Sequence, residues 1–467
     1  MSMDGSTTRG FGNVVAAKSH ERDTSAVITR RFRWIAAIVA SCATAIATLI
    51  WSPIFPVASL RAHDGGDAVI ELLRDPIWRD RDAYDAAHFL MVPMHEAFQA
   101  GKLRRIAEFR IFFDRAHQNR DELVKGRLSR LQFLYLISRF VALESKVKPC
   151  SNAVVPLGQW LGDEVNNALT SPAWLWGRHD FPDMFQRLDY KLSDKPAARS
   201  YYKAIFDEEL FALAIASDLV YAFRGCSLTL PPAVSKANEL HPVIWTTLGH
   251  TERGRWIFQP GVWTEHPDFK FAGHPALKSD LEPRPVKGIG WDTSHASRHP
   301  LFLLSAACGQ QGDERSKLNS IRKRLAQTFL DIVLVPPTVD RPAYLTRNFM
   351  TGENGVYRYG YGTKGKSGGY GPFQLSGTFM LGWWAFASDQ LRPIYARQAS
   401  LMPFDHQLLN YFGEGTVTDP TRARPRHPLM GAEGYANGQL VRAIVGAASR
   451  LSAESFACTP EKQLVKD

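Results

Sequence analysis

The chain has 467 residues, 45% of them hydrophobic and 22% charged, with a formal net charge of +10. That apolar content excludes a wholly disordered chain and is enough to bury a full core. The basic residues are dispersed rather than gathered into a block interleaved with aromatics, so no nucleic-acid groove is expected and the charge points to other anionic partners.

Residues 1–33 are polar and rich in Gly, Ser and Thr, the composition of a disordered tail. From Trp34 to Leu60 there is no charged residue, and Arg30, Arg31 and Arg33 crowd the near side of this gap. A helix over 34–51 would span about 27 Å at roughly 1.5 Å per residue. That approaches the bilayer core of about 30 Å, and residues up to 54 extend it. Trp34 and Trp51 stand where interfacial aromatics are expected. The excess of Arg and Lys before the segment places the tail in the cytosol and the remainder outside. The segment therefore reads as an uncleaved signal anchor over 34–54. The alternative is a signal peptide cleaved near Val57-Ala58-Ser59. Either way the chain is exported. The expected location is the inner membrane, by a single pass, with the large domain periplasmic or extracellular.

Of the five cysteines, Cys42 lies in the apolar run. Cys150, Cys226, Cys308 and Cys458 are enough for two disulfides in an oxidising compartment, with the pairing left open. Cys308, inside Leu303-Leu304-Ser305-Ala306-Ala307-Cys308, also reads as a small buried hydrophobe. No CxxC occurs, and neither a metal nor a cofactor is expected. His88 and His95, seven apart, fall on one helical face. Zinc ligands usually sit closer, so His88 reads either as a residue lining a substrate cavity or as simple packing.

Helical periodicity dominates beyond residue 65, over 83–99, 103–116, 128–145, 154–169, 196–223, 297–308, 314–334, 371–388 and 433–450. One domain is expected over 65–452, followed by a tail over 453–467. Residues 224–296 and 335–371 break the pattern with Pro, Gly and aromatics, and loops of this length are where function concentrates. The first holds Trp256 to Phe269, with Trp263, Glu265, His266 and Asp268. It ends in Trp291-Asp292-Thr293-Ser294-His295-Ala296-Ser297-Arg298. The second holds Asn348 to Gly362, with Glu353, Asn354, Tyr357, Arg358 and Tyr359. These clusters mix faces on which sugar rings stack with groups that move protons or bind carboxylates. Asp292 also has the position of a helix cap. Gly365-Lys366-Ser367-Gly368-Gly369 lacks the spacing of a phosphate loop.

Helical hairpins joined by aromatic, His- and Arg-rich loops resemble the (α/α) toroid enzymes that act on polysaccharides, of the polysaccharide-lyase-like, six-hairpin type. Trp291 to Arg298 ahead of an apolar helix, and Tyr357-Arg358-Tyr359 ahead of the helix from Gly371, are the stretches that look like inner-helix starts of such toroids. The resemblance implies a mainly α fold: a transmembrane helix, then a toroid of hairpins with long aromatic-rich loops. It implies His295 as an acid/base, Tyr357 or Tyr359 as proton donor and Arg298 as a carboxylate binder. Ser294 stands where several such lyases carry Asn. Together the readings make Asp292, His295, Tyr357 and Tyr359 the catalytic candidates. Trp263, His266, Asp268, Asn354, Arg358, Arg298 and His88 are the candidates for binding substrate. The expected function is a membrane-anchored lyase or glycoside hydrolase of an anionic envelope polysaccharide. The alternative is an envelope protein that binds a glycan or a partner without catalysis.

Overall fold

The structure is a computed structural model that describes residues 66–80, 82–176, 179–362, 364–412, 427–430, 435–456 and 458. The tail 1–33, the apolar segment 34–54 and residues 459–467 lie outside these residues. None of the described helices is long and apolar enough to cross a membrane.

Helices dominate. The first group is α1 (Gly66–Arg74), α2 (Asp82–Gln99), α3 (Leu103–Gln118), α4 (Arg127–Val147), α5 (Val155–Thr170), α6 (Met184–Leu192), α7 (Asp207–Ala222) and α8 (Pro232–Leu248). Then come α9 (Thr293–Ala296), α10 (His299–Gly309), α11 (Gly312–Thr328), α12 (Ser376–Phe379), α13 (Arg392–Ser400), α14 (His406–Leu409) and α15 (Gln439–Arg450). Among the described residues three short antiparallel pairs interrupt them: β1 (Ala173–Leu175) with β2 (His179–Phe181), β3 (Gly249–Glu252) with β4 (Arg255–Phe258), and β5 (Leu334–Val335) with β6 (Leu345–Thr346). In the β3–β4 turn Arg253 and Gly254 both take positive φ, the backbone of a tight hairpin whose twist matches its strands. A side chain at Gly249 would run into Trp256 across the hairpin.

Neighbouring helices pack in chain order. The helix α2 lies on α4, α4 on α7, and α7 on α10. Next, α10 meets the 3-10 turn Trp383–Phe386, which contacts α15, and α15 returns to α2. The helices α3, α5, α8 and α11 pack against this path from their sequence neighbours. Burial explains which helix goes where. Every residue of α10 is buried, as an apolar sequence without a polar face requires, whereas α11 keeps charged residues in water.

Some boundaries differ from the periodicity. Residues 232–248, read as loop because of their Pro and His, form α8. Pro232 occupies its first turn, where no N–H is needed. The run 196–223 holds a 3-10 turn at Ser200–Lys203 and is α-helical only from Asp207, and 371–388 breaks into α12 and the turn Trp383–Phe386. The last helix starts at Gln439 rather than 433. The expected tail from 453 is docked at its start: Ala453 and Phe456 are buried, and Cys458 forms a disulfide with Cys308. Cys308 is therefore both buried and bonded. Cys150 pairs with Cys226.

These disulfides span separations of 76 and 150 residues. In the chain-entropy account each restricts the unfolded chain by about 4–5 kcal/mol. Thermal unfolding with and without reductant should show a drop in Tm. Cys150–Cys226 should open first, because Cys150 is exposed while Cys308 and Cys458 are buried.

Two polar tiers cross the helices that follow one another in the core. In the lower tier Arg139 of α4 donates to Asp218 of α7 at 2.6 Å and to Ser305 of α10 at 3.2 Å. Ser138 donates to the other oxygen of Asp218 at 2.8 Å, and His95 of α2 lies 3.4 Å from Arg139 Nε. The upper tier joins Tyr84 and His88 of α2, Gln132 of α4, Asp207 of α7 and Arg298 before α10. His88 and His95, Gln132 and Arg139, and Arg298 and Ser305 are each seven residues apart, two helical turns or about 10 Å. The lower tier closes the core, and the upper tier underlies the site.

Three buried histidines give this core an acid limit. Burial pushes His241 down to about 3, burial and the nearby Arg298 charge take His299 to about 3, and burial with the Arg139 charge holds His95 well below the usual range. Between pH 6.5 and 3 the unfolded chain binds protons that the folded chain refuses. The contribution of these rings to stability is thus full above pH 6.5 and falls as the pH drops, by up to about 4 kcal/mol per pH unit for three such groups. Tm measured at pH 7.5, 6 and 5 should decline with increasing steepness; a flat profile would contradict neutral burial of these rings.

Candidate active site

Asp292 ends the long loop after β4 and caps α9, with Oδ1 accepting the His295 backbone N–H at 3.2 Å. Its own backbone is bridged to Phe349, and Thr293 N–H donates to Asn348 O at 2.9 Å. These contacts lock the two loop clusters together. Capping leaves Oδ2 available, and that oxygen accepts from His295 Nδ1 at 2.8 Å and from the Tyr357 hydroxyl at 3.1 Å. Ser294 donates its hydroxyl to Oδ1. Burial alone would raise the Asp292 carboxyl. The His295 charge, the hydrogen bonds from His295 and Ser294, and the Arg358 charge outweigh it and hold the group well below the usual carboxylate range. Asp292 is therefore a carboxylate, and His295 donates to it from Nδ1–H. In the neutral imidazole a proton on Nδ1 leaves Nε2 with its lone pair. Asp207 Oδ2 is 4.0 Å from Nε2. The His295 side chain is 22% exposed, whereas those of Asp292 and Asp207 are 3% and 8% exposed. The imidazole is thus the member of this group that a solute can reach.

Arg298 follows on the same turn but faces inward. Its guanidinium pairs with Asp207 through Nη1, donates to Tyr84 OH at 2.8 Å and meets His88 Nε2 at 2.9 Å. Burial opposes its charge, but Asp207 and Tyr84 prevail and keep it protonated. Arg298 and His88 therefore hold the floor together, and each Nη of this buried Arg298 already has a partner in the protein. Tyr357 is also buried, and burial drives its hydroxyl well above the usual phenol range.

Arg358 is the cation on the open side. Its Nε donates to Asp268 Oδ2 at 2.9 Å, and its guanidinium lies 5.2 Å from the Tyr357 ring and 4.8 Å from the Tyr361 ring. Its terminal nitrogens make no hydrogen bond among the described residues, and the side chain is 22% exposed. His266 Nδ1 accepts the Asp268 backbone N–H at 3.2 Å, which leaves Nε2–H as a donor. Burial lowers its pKa, partly offset by Asp268, so the ring is neutral. Its ring packs 5.3 Å from Trp263 and 4.9 Å from Tyr201. Trp263 is buried and joins His266 to Trp291, which abuts His295. It is a floor rather than an open stacking face.

Two candidates lie apart from this group. The Tyr359 hydroxyl accepts Leu281 N–H at 3.1 Å, and its ring packs on Phe271. Asn354 Oδ1 accepts N–H groups of Asn348 and Phe373 and braces the loop. Conversely, Asp207 and Tyr84 escaped the sequence reading. Asp207 falls inside the stretch 196–223 expected to be helical, with nothing local to single it out. Tyr84 is one turn before His88, and that spacing was the only local hint. Among the described residues no cluster of three or more His, Cys, Asp or Glu is placed to hold a metal ion. No protein-family model matches the chain, and neither a curated protein nor a solved structure matches it significantly.

Proposed function

We propose that the protein is an exported enzyme that cleaves an anionic, uronate-containing polysaccharide by β-elimination, with His295 as the base. The observation that carries this reading is the partly exposed His295 imidazole, oriented by buried Asp292, whose carboxylate also feels the charge of the partly exposed Arg358. His295 Nε2 takes the C5 proton. The electron pair left on C5 is stabilised by the uronate carboxylate, which Arg358 and the His266 Nε2–H bind. That pair then forms the C4=C5 double bond as the C4–O bond breaks, and the proton on Nε2 passes to the departing oxygen. General-base help of this kind contributes about 10²–10⁴-fold. Tyr357 and Ser294 act through Asp292, and Arg298 acts through Asp207, as positioning residues.

Hydrolysis by two carboxylates fits less well. Asp268 is tied to Arg358, Asp292 to His295, Glu353 to Thr351, and Glu265 to Ser200 N–H and Arg199. None of these four candidates is left uncommitted to act as the second member of such a pair.

The path of helix contacts that returns from α15 to α2 supports reading the domain as an (α/α) toroid. Two disulfides suit an oxidising compartment, and the uncharged segment after Arg33 supplies the anchor in this reading. The test is incubation of the full chain with a panel of uronate polymers, following the ultraviolet absorbance of the unsaturated product. Absorbance should grow with at least one polymer. Binding without any such product would leave the non-catalytic envelope role instead.

A further inference from the structure

Beside His266 the surface opens into a pocket of about 420 Å³, within the range of roughly 300–1,000 Å³ typical of small-ligand sites. Its walls come from three separate segments: Arg199 and Tyr201, the stretch from Thr264 to Lys270, and Pro283 with Pro285. They are tied before any ligand arrives. Ser200 N–H donates to Glu265 at 2.6 Å, Arg284 N–H to Lys270 O at 2.7 Å, and Gly273 N–H to Arg284 O at 2.9 Å. A preformed pocket loses little ordering entropy on binding.

The lining is chemically lopsided. Tyr201, Pro267, Pro283 and Pro285 offer apolar faces of the kind that pack on the C–H side of a sugar ring. Glu265 is occupied by Arg199 at 3.3 Å and by the Ser200 N–H. Lys270 is exposed, and its ammonium has no hydrogen bond or ion pair among the described residues. Two cations against one carboxylate leave a positive excess. The Tyr201 ring lies 4.9 Å from the His266 ring, and the charges of Asp292 and His295 are felt at His266. The Tyr201 wall of the pocket thus packs directly against the His266 ring.

We infer that this pocket is a neighbouring subsite that receives an adjacent uronate unit of the polymer, with Tyr201 under the ring and Lys270 on its carboxylate. The inference rests on the reading of His295 as the cleavage centre and assigns that centre an anionic chain longer than a dimer. It also explains the placement of His266, between the unit being cleaved and its neighbour.

The experiment combines turnover by the wild-type chain with calorimetric binding to full-length His295→Ala protein. The probes are tetra-galacturonate, tetra-mannuronate, the corresponding dimers and neutral cellotetraose. Lys270→Met should weaken binding of the preferred acidic tetramer about tenfold, the size expected from one lost charge-assisted hydrogen bond. Binding of the dimer should be unchanged, and Lys270→Arg should restore the tetramer. Lys270 is exposed, so the variants are expected to fold. Turnover by wild type with tetramer affinity untouched by Lys270→Met would overturn the subsite and leave elimination standing. Lys270-sensitive binding without turnover would do the reverse. Equal binding of cellotetraose, or no binding of any tetramer, would overturn the subsite outright.

Discussion

His295→Ala is expected to lower kcat on a uronate polymer by about 10³-fold while the circular dichroism spectrum and Tm stay near wild type. The side chain is partly exposed and sits on the short helix α9, so its loss opens no core cavity. Asp292 keeps its hydrogen bonds from Tyr357 and Ser294. Asp292→Asn should also be severely impaired. An amide no longer demands a proton on His295 Nδ1, so the imidazole can offer the wrong nitrogen. Tyr357→Phe removes one of several donors to Asp292 and should cost about tenfold or less. This order of effects, His295 first and Tyr357 last, separates a His base from a Tyr base. If Tyr357→Phe abolished turnover while His295→Ala retained it, the assignment would be reversed.

Asp218→Ala should destabilise the fold by about 3–5 kcal/mol, measured as a shift in the midpoint of urea unfolding. Arg139 is 3% exposed and Asp218 fully buried, so among the described residues the variant leaves the guanidinium hydrogen-bond partners only in Ser305 and His95. The Arg139→Met, Asp218→Ala double variant should recover much of the loss, because the buried charge disappears along with its partner. If the single and double variants were equally unstable, the damage would come from lost packing. The two proposed experiments are separable: the lower tier sits about 10 Å below the site, so Asp218 variants should report on stability and His295 variants on turnover.

Helix existence was legible wherever apolar spacing dominated, as in α2, α4, α7 and α10. It failed at α8, where Pro232, His241 and Pro242 mask a helix whose buried face includes Val234, Ile244 and Trp245. It also failed where tertiary packing divides a continuous pattern, as between α12 and the turn Trp383–Phe386. The candidate site was legible in kind: the two aromatic and charged loop clusters do meet, through Asp292, His295 and Tyr357. Their roles within the meeting were not. Arg298 and Arg358 look alike in sequence, yet one is neutralised by Asp207, 91 residues away, and the other keeps an open side. Tyr357 and Tyr359 are two apart, and only Tyr357 reaches Asp292.

From the sequence alone came the chemistry in stock and its local order: the apolar helices, the charge-free run after Arg33, and the capping residue three before His295. Those follow from short-range rules of periodicity, charge and hydrogen-bond reach. The tertiary structure alone decided which groups are buried, which nitrogen of His295 is presented, and which arginine can meet a ligand. Burial and partner choice depend on residues brought together across the chain, such as Tyr84 and Arg298, and no local pattern encodes them.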